Sequence, residues 1–249
     1  MSKPQKEKKA VGKATSKKAQ ASVVQEKFHF DKNTFRPPES KTQHQQDVIS
    51  AYRRGCHLIM SGAAGSGKTY LALALALEES IESNFKKKIV IVRSVVPTRD
   101  MGFLPGDQSE KEAAYMTPYI NLINEMCASG CAYRALSSLG VIKFITTSFI
   151  RGITLNNSII IVDEFQNCFG RELDSIMTRI GNESRIVFSG DTEQSDFDRS
   201  GEKQGAGKFL SIITDLNNFE HVQFTWDDCV RSGTCRDYLM SKARLGISF

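Results

Sequence analysis

The sequence predicts an α/β fold, a mostly parallel β-sheet sandwiched by helices, behind a disordered basic N-terminal tail. Three observations support this prediction. Short apolar stretches typical of buried strands alternate with segments of helical periodicity. A glycine-rich loop joins the first of these strands to a helix, and two acidic residues directly follow a later strand. The apolar fraction of 40% and the charged fraction of 24% are those of an ordinary folded domain.

The N-terminal segment differs in composition from the rest of the chain. Residues 1–27 contain eight lysines and two glutamates, a net charge of +6, whereas the remaining residues carry −1. A lysine-rich segment with few apolar residues does not bury enough surface to fold. We therefore expect a disordered tail at 1–27, a linker at 28–41 and one domain at 42–249. The tail is either a solvated extension or a basic arm that adds salt-dependent affinity for nucleic acid.

The predicted elements follow in order along the domain. A helix over 43–54 begins after a cap at Ser40 or Thr42, and the Leu- and Ala-rich segment 68–83 predicts a second, strong helix. Short apolar runs bounded by polar residues predict strands. These strands are 57–61, 88–92, 142–146, 158–162, 185–189 and 221–225. The remaining helices are expected over 110–129, 171–180, 205–215 and 234–244.

Several classes of protein are disfavoured by composition. No apolar run is long enough to cross a membrane, and the N-terminus lacks the apolar segment of a secretory signal. The six cysteines contain no C-x-x-C pair and no zinc-site spacing, so we expect them to be free. These observations predict a cytoplasmic protein with no membrane partner.

Residues 62–69, GAAGSGKT, match the pattern G-x-x-x-x-G-K-[ST]. The pattern follows a predicted strand and opens a predicted helix, the context that a phosphate-binding loop requires. Glycines let backbone N–H groups face the phosphates, and the helix N-terminus adds a favourable potential. Lys68 is expected to reach the β- and γ-phosphates, and the hydroxyl of Thr69 to ligate Mg²⁺. We therefore predict a P-loop NTPase of RecA-like fold.

The nucleotide is predicted to be ATP, because no N-K-x-D element for reading guanine occurs in the sequence. A glutamine ahead of the first strand is the candidate for pairing with the adenine edge. Gln45 is preferred to its neighbours Gln43 and Gln46. The predicted nucleotide contacts are Gln45, Gly62, Ala63, Ala64, Gly65, Ser66, Gly67, Lys68, Thr69 and Tyr70.

Two acidic residues end the apolar run in IIIVDEFQN, residues 159–167. A buried central strand delivers Asp163 at its carboxyl end, beside the phosphate loop, where α/β sheets bind ligands. Asp163 is expected in the Mg²⁺ shell through water, and Glu164 is expected to orient or deprotonate the attacking water. The alternative is a solvated acidic turn.

A second strand ends in polar groups in IVFSGDTEQSD, residues 186–196. Gly190, Asp191 and Gln194 form a GDxxQ pattern. We expect Gln194 to sense the γ-phosphate or to hold the attacking water. The alternative is an ordinary turn, since Gly-Asp is common in turns.

The order of P-loop, DExQ and GDxxQ resembles a superfamily 1 helicase core reduced to one motor domain. In such helicases an upstream glutamine pairs with adenine. More specifically, the chain resembles the PhoH-like family of phosphate-starvation-inducible ATPases. The matching stretches are GAAGSGKTYLA, RSVVPTRDMGFLPGDQSEK, IIIVDEFQN, TRIGNESRIVFSGDTEQSD and DDCVRSG. The compact length and the VPTRDMGFLPG spacing resemble the phage-borne branch, which implies a host cytoplasm.

The resemblance implies single-stranded nucleic acid as a partner, with RNA favoured over DNA. In helicase-like motors the loop after the second core strand faces nucleic acid. Arg93 and Lys111 are therefore candidates to contact phosphates, and Phe103 is a candidate to stack on a base. The alternative is that GFLPGD is mainly architectural.

Arg231 in DDCVRSG is predicted to be catalytic. In many P-loop ATPases an arginine approaches the γ-phosphate from a neighbouring subunit. A single motor domain has no second lobe to supply that arginine, so we expect Arg231 to act in trans within a homo-oligomer, for which a ring is one arrangement. The alternative is a surface salt bridge with Asp227 or Asp228.

Two other functions share part of this pattern. A nucleotide-dependent switch that acts through a protein partner is favoured by the near-neutral charge outside the tail. A small-molecule kinase would share the P-loop, but it would not need DEFQN followed by GDxxQ.

Overall fold

The computed structural model contains one six-stranded sheet in which every pair of neighbouring strands is parallel. The structure describes residues 30–94, 108–191 and 200–246. The strands run across the sheet in the order β3-β2-β4-β5-β1-β6. In chain order they are β1 (His57–Gly62), β2 (Lys88–Arg93), β3 (Ile142–Thr146), β4 (Ser158–Asp163), β5 (Arg185–Ser189) and β6 (Phe219–Phe224).

Helices connect the strands along the chain. They are α1 (Gln43–Arg53), α2 (Lys68–Glu82), α3 (Gln108–Met126), α4 (Ala132–Ser138), α5 (Gly170–Met177), α6 (Ser200–Ile213) and α7 (Gly233–Leu245). Among the described residues, each helix is too short or too polar to cross a lipid bilayer.

Alternation along the strands divides the interior into two cores. In β4, Ile159 and Ile161 belong to one core, and Ile160 and Val162 belong to the other. The first core packs the buried residues of α1 to α4 against one face of the sheet. The second core packs α5 and α6 against the opposite face. A strand covered on both faces is apolar throughout, which is why β4 reads as a continuous run rather than an alternating pattern.

The sheet order brings the carboxyl ends of three strands together. β5 lies between β1 and β4, so Ser189 at the end of β5 is in register with Met60 on one side and Asp163 on the other. The glycine-rich loop leaves the end of β1, and Gly190 and Asp191 leave the end of β5. Ligands of open parallel sheets bind outside these carboxyl ends.

The predicted α/β fold is confirmed, with all six predicted strands and the predicted sequence of helices present. The short helix α4 is an addition that the sequence pattern did not indicate. α6 begins at Ser200, five residues before its predicted start. The predicted disordered tail lies outside the described residues.

The segment expected to be a linker packs against the domain from residue 30 onward. The ring centroids of Phe30 and Phe85 lie 5.6 Å apart, and the backbone N–H of Arg36 donates to the carbonyl of Met126 at 3.0 Å. A short 3-10 helix, Lys32–Thr34, lies between these contacts. The segment that precedes α1 therefore reaches the end of α3, beside the site described next.

Candidate active site

The loop between β1 and α2 is shaped by its glycines. Gly62, Gly65 and Gly67 have φ angles of 101°, 79° and 85°. A left-handed backbone suits glycine, and space also excludes a side chain at Gly62, since an added Cβ would lie 2.1 Å from the carbonyl oxygen of Phe224. The loop then enters α2, whose first N–H groups have no partners within the helix and form a site for an anion.

Lys68 lies buried inside this loop. Its Nζ donates to the carbonyl oxygens of Gly62 at 2.7 Å and Ala63 at 2.8 Å. Burial lowers the pKa of Lys68, because a charged ammonium loses solvation, and three nearby carboxylates oppose that shift. Those carboxylates belong to Asp191, Glu164 and Asp163. The ammonium is thus held inside the loop by the loop's own carbonyl oxygens.

Thr69, in the first turn of α2, meets Asp163 at the carboxyl end of β4. The hydroxyl of Thr69 donates to Oδ1 of Asp163 at 2.9 Å, although 94 residues separate them in sequence. Asp163 is 3% exposed. Its other oxygen, Oδ2, accepts a hydrogen bond from the hydroxyl of Tyr119 on α3 at 2.7 Å. Burial, followed by the charge of Asp163, raises the pKa of Tyr119, so the phenol is a neutral donor.

The donors at this point fit Mg²⁺. A hydroxyl and a carboxylate are hard oxygen ligands, which Mg²⁺ prefers, and the cation usually completes its shell with water and substrate phosphates. Among the described residues, no three His, Cys, Asp or Glu side chains cluster as a metal site of their own. The chemistry therefore suits a cation that arrives with a nucleotide, with Thr69 and Asp163 as the protein's contribution.

Glu164 follows Asp163 with a left-handed backbone, φ 52°. Its Oε2 accepts a hydrogen bond from Nε2 of Gln166 at 2.6 Å. Oε1 of Gln166 in turn accepts the backbone N–H of Asp191 at 3.0 Å. Burial raises the pKa of Glu164, and the neighbouring charge of Asp163 raises it further, so this carboxylate holds a proton more readily than an exposed one.

A cavity of about 780 Å³ opens over the loop. This volume is within the range of roughly 300–1,000 Å³ typical of small-molecule sites. Residues that follow β4 and β5 line it, namely Glu164, Gln166 and Asp191. The segment before α1, α2 and the last turns of α3 also line it, including Arg36, Glu39, Lys41, Tyr70, Leu122 and Glu125. Ala64 of the glycine-rich loop is a further lining residue.

Gln45 lies at this cavity, but the backbone holds its amide at both ends. Nε2 donates to the carbonyl of Ser66 at 2.8 Å, and Oε1 accepts the N–H of Lys41 at 2.7 Å. Gln45 thus ties the phosphate loop to the segment before α1. Gln45 retains one N–H on Nε2 and one lone pair on Oε1 with which to pair with adenine. These contacts therefore give the predicted adenine-binding role of Gln45 no support.

Arg231 lines the cavity of its own chain. An added Cβ at Gly65 would lie 3.0 Å from Cγ of Arg231, and the N–H of Val230 donates to the carbonyl of Gly65 at 3.1 Å. Asp228, one of the alternative partners, is instead hydrogen-bonded to Nδ1 of His44 at 2.7 Å. This placement allows action in cis as well, so it gives the argument for action in trans no support.

The residues predicted to face nucleic acid are only partly described. Phe103 and the predicted sensor Gln194 lie outside the described residues, and the side chain of Lys111 does as well. Arg93 is half-buried at the end of β2, where its Nη1 donates to the hydroxyl of Tyr119 at 3.4 Å. Its guanidinium also lies 5.4 Å from the ring centroid of Tyr115. Arg93 is therefore turned toward α3, and a role in binding phosphate gains no support from this orientation.

Two residues at the site were not among the sequence-predicted site residues. Gln166 stands within the DExQ pattern, so its place in a motif was a usable signal. Tyr119 carries no such signal. It lies in the interior of the long helix α3, and 44 residues separate it in sequence from its partner Asp163.

Comparison with known proteins gives one family. A family model described as PhoH-like protein matches residues 39–241. A PhoH-like protein of Bacillus subtilis (strain 168) is 30% identical over 192 residues, covering 77% of this chain and 59% of the relative. Protein PhoH of Escherichia coli (strain K12) is 31% identical over 202 residues, covering 80% of this chain and 56% of the relative. The chain thus spans a little more than half the length of these relatives.

Similarity to a solved structure supports the α/β fold described above. The large terminase from a thermophilic bacteriophage has a TM-score of 0.50 at 12% sequence identity. The match covers 82% of this chain and 50% of the terminase chain. At this identity the comparison concerns the arrangement of helices and strands alone.

Proposed function

This chain belongs to the PhoH-like protein family, and on that premise we propose that it is a Mg²⁺-dependent ATPase. One observation carries the proposal. The glycine-rich loop presents Lys68 and Thr69 to a cavity of about 780 Å³, and the hydroxyl of Thr69 donates to Asp163 at 2.9 Å. A phosphate-binding loop, a hydroxyl–carboxylate pair and an adjacent second carboxylate are the parts that nucleoside triphosphate hydrolysis requires.

Each residue has a distinct role in the proposed reaction. Lys68 and the N–H groups at the start of α2 bind the β- and γ-phosphates. Thr69, and Asp163 through water, would hold Mg²⁺, which would neutralise charge on those phosphates. A water oxygen attacks the γ-phosphorus, the bond to the bridging oxygen breaks to leave ADP, and Glu164 accepts the water's proton. The raised pKa of Glu164, caused first by burial, makes its carboxylate a stronger base toward that proton.

We propose ATP rather than GTP as the nucleotide. The sequence has no N-K-x-D element, and the phosphate loop is flanked by Tyr70, a half-buried aromatic ring at the cavity wall. The carboxylates of Glu39 and Glu125 and the guanidinium of Arg36 all act on the hydroxyl of Tyr70 electrostatically, so the charge around this ring is mixed. Adenine and guanine both carry an exocyclic amine that a carboxylate accepts, so the preference for ATP rests on the missing N-K-x-D element.

Single-stranded nucleic acid, RNA before DNA, is the proposed partner of the motor. The proposal rests on the family's resemblance to helicase cores and on the lysine-rich tail, whose net charge of +6 favours a polyanion. The charge of −1 over the rest of the chain favours the alternative, a nucleotide-dependent switch that acts through a protein partner. The six free cysteines are consistent with a reducing compartment, and we propose the cytoplasm.

We propose a homo-oligomer as the working form, with Arg231 near the γ-phosphate. Because Arg231 lines the cavity of its own chain, it is able to act in cis as well as in trans. The ATPase rate of Arg231→Ala, followed over a range of protein concentrations, separates the two. Action in trans gives a wild-type specific activity that rises with concentration and a variant that does not respond. Action in cis gives a loss at every concentration.

The decisive measurement is steady-state ATPase activity with and without single-stranded RNA and DNA, in Mg²⁺, at two salt concentrations. Glu164→Gln is the catalytic control, because it should bind ATP without turnover, and Glu82→Gln on the exposed face of α2 is the matched control with normal activity. Stimulation that fades with salt supports the motor. Activity that ignores both polymers supports the switch. No Mg²⁺-dependent hydrolysis under any of these conditions would refute the proposed ATPase.

A further inference from the structure

Tyr119 is a buried residue of α3 whose hydroxyl contacts Asp163. It is 1% exposed, and its hydroxyl donates to Oδ2 of Asp163 at 2.7 Å. Its ring packs in the first core, 5.9 Å from the centroid of Phe144 on β3. The hydroxyl is therefore held by a ring that has little freedom to move.

The carboxylate of Asp163 has one donor on each oxygen. Thr69 occupies Oδ1 and Tyr119 occupies Oδ2, at 2.9 and 2.7 Å. Two donors on opposite oxygens fix the plane of the carboxylate as well as its position. A buried carboxylate that loses one donor is left with an unsatisfied oxygen and is free to rotate.

The hydrogen bond from Arg93 sets the direction of the Tyr119 hydroxyl proton. A guanidinium has only donors, whereas a phenol has one donor and an acceptor oxygen. Because Nη1 of Arg93 donates to the hydroxyl oxygen of Tyr119 at 3.4 Å, the phenol proton is left to Asp163. Arg93 and Asp163 are also register partners on the neighbouring strands β2 and β4, which keeps the three groups together.

We propose that Tyr119 is a positioning residue for Asp163, that Arg93 orients Tyr119, and that together they prepare the carboxylate for a Mg²⁺–nucleotide complex. The inference rests on the proposed function, since it assigns Mg²⁺ to Thr69 and Asp163. It gives Arg93 a role inside the protein rather than on a nucleic-acid surface. Partners that orient metal ligands commonly contribute roughly 10- to 100-fold in metal affinity or activity.

The test compares Tyr119→Phe with Tyr133→Phe in the full chain. Both changes remove one phenolic oxygen from a buried ring, and Tyr133 lies on α4, packed in the same core but not among the residues that line the cavity. Binding of a fluorescent ATP analogue is titrated against Mg²⁺, with a parallel titration in EDTA. We expect the Mg²⁺ concentration for half-maximal binding to rise about 10-fold in Tyr119→Phe. We expect binding in EDTA to stay unchanged, and Tyr133→Phe to match the wild type throughout.

A second variant tests the same chain of contacts from its other end. Arg93→Met keeps much of the side-chain volume but cannot donate, so it should shift the Mg²⁺ requirement in the same direction. The double variant should be no worse than Tyr119→Phe, because Arg93 acts through Tyr119. Additive shifts would show that Arg93 acts on its own and would overturn that part of the proposal.

The remaining outcomes separate this inference from the proposed function. If the wild type binds the analogue without any response to Mg²⁺, the proposed Mg²⁺-dependent ATPase fails. If the wild type responds and Tyr119→Phe responds identically, Tyr119 has no positioning role. Equal losses of binding with and without Mg²⁺ would mean that the hydroxyl supports the fold alone, and they too would overturn the inference.

Discussion

Gln166 holds the carboxylate of Glu164 through a hydrogen bond of 2.6 Å from its Nε2 to Oε2. The opposite end of the same amide accepts the backbone N–H of Asp191, so the orientation of the amide is fixed by the protein. One buried side chain thereby joins the ends of β4 and β5. The proposed base is held relative to Asp191, which belongs to the GDxxQ pattern in which Gln194 is predicted to sense the γ-phosphate.

Replacing Gln166 should therefore impair turnover more than binding. Gln166→Met keeps the volume of the buried side chain but removes its hydrogen bonds to Glu164 and Asp191, so Glu164 loses its orientation. We expect kcat to fall by about 10- to 100-fold, since small displacements of a catalytic group have costs of that order. ATP affinity should change little. Steady-state kinetics with Gln223→Met, at an exposed position of β6, as the control would check this, and an unaltered kcat would contradict it.

Gly190 leaves no room for a side chain, although its backbone conformation does not require glycine. An added Cβ would lie 2.2 Å from Oε1 of Gln166 and 2.8 Å from Cδ1 of Phe165. We expect Gly190→Ala to displace Gln166, to lower ATPase activity and to destabilise the fold by about 1–3 kcal/mol, as other overpacked positions do.

The matched control for that change is Gly207→Ala. Gly207 lies within α6, and apart from the neighbouring backbone of that helix no described atom lies within 4 Å of an added Cβ. Alanine there should raise stability by about 0.5–1 kcal/mol, because glycine is a poor helix former. Denaturant unfolding of both variants gives the comparison, and a Gly190→Ala protein as stable and active as the wild type would refute the assignment.

Lys68 should be essential for binding nucleotide. Lys68→Ala removes the buried ammonium that contacts the carbonyls of Gly62 and Ala63, and with it the charge proposed to meet the phosphates. We expect ATP affinity to fall by at least about 10-fold, in line with the loss of a charged hydrogen bond. A fluorescent nucleotide titration measures the loss, and Lys86→Ala, exposed beyond α2, should bind normally. Equal affinities for the two variants would argue against a phosphate-binding role.

His57 should make the fold sensitive to mild acid. Burial lowers the pKa of His57, and the charge of Arg185 lowers it further, while its Nδ1 accepts the N–H of Ile186 at 3.3 Å. The folded state therefore takes up this proton at a lower pH than the unfolded chain, whose histidine titrates near about 6.5. Stability should be greatest above that pH and should fall as the pH drops below it.

Urea unfolding at about pH 7.5 and about pH 5.5, on either side of the unfolded-chain value, would measure the effect. His57→Asn should reduce the difference between the two conditions, because an amide oxygen accepts the same N–H without titrating. Some difference should remain, since burial also lowers the pKa of His221. A wild-type protein whose stability does not change over this interval would contradict the assignment.

Much of the site could be predicted because its signals are local in sequence. GAAGSGKT and IIIVDEFQN each carry their chemistry within a few residues, and each follows a strand that reads clearly as apolar. The fold then brings Thr69 at the start of α2 to Asp163 at the end of β4, where the hydroxyl lies 2.9 Å from Oδ1. Burial on both faces explains why the strands were easier to predict than the short helix α4, whose seven residues give little periodicity.

The sequence by itself determined the α/β class, the phosphate loop and the acidic pair, because composition and spacing along the chain are enough to specify them. Only the tertiary structure decided how side chains from distant segments share one space. It turned Arg93 inward onto α3, fixed the amide of Gln45 on the phosphate loop and set Arg231 at its own chain's cavity. It also brought Tyr119 to Asp163. Such contacts depend on packing between helices and the sheet, and no periodicity along the chain encodes them.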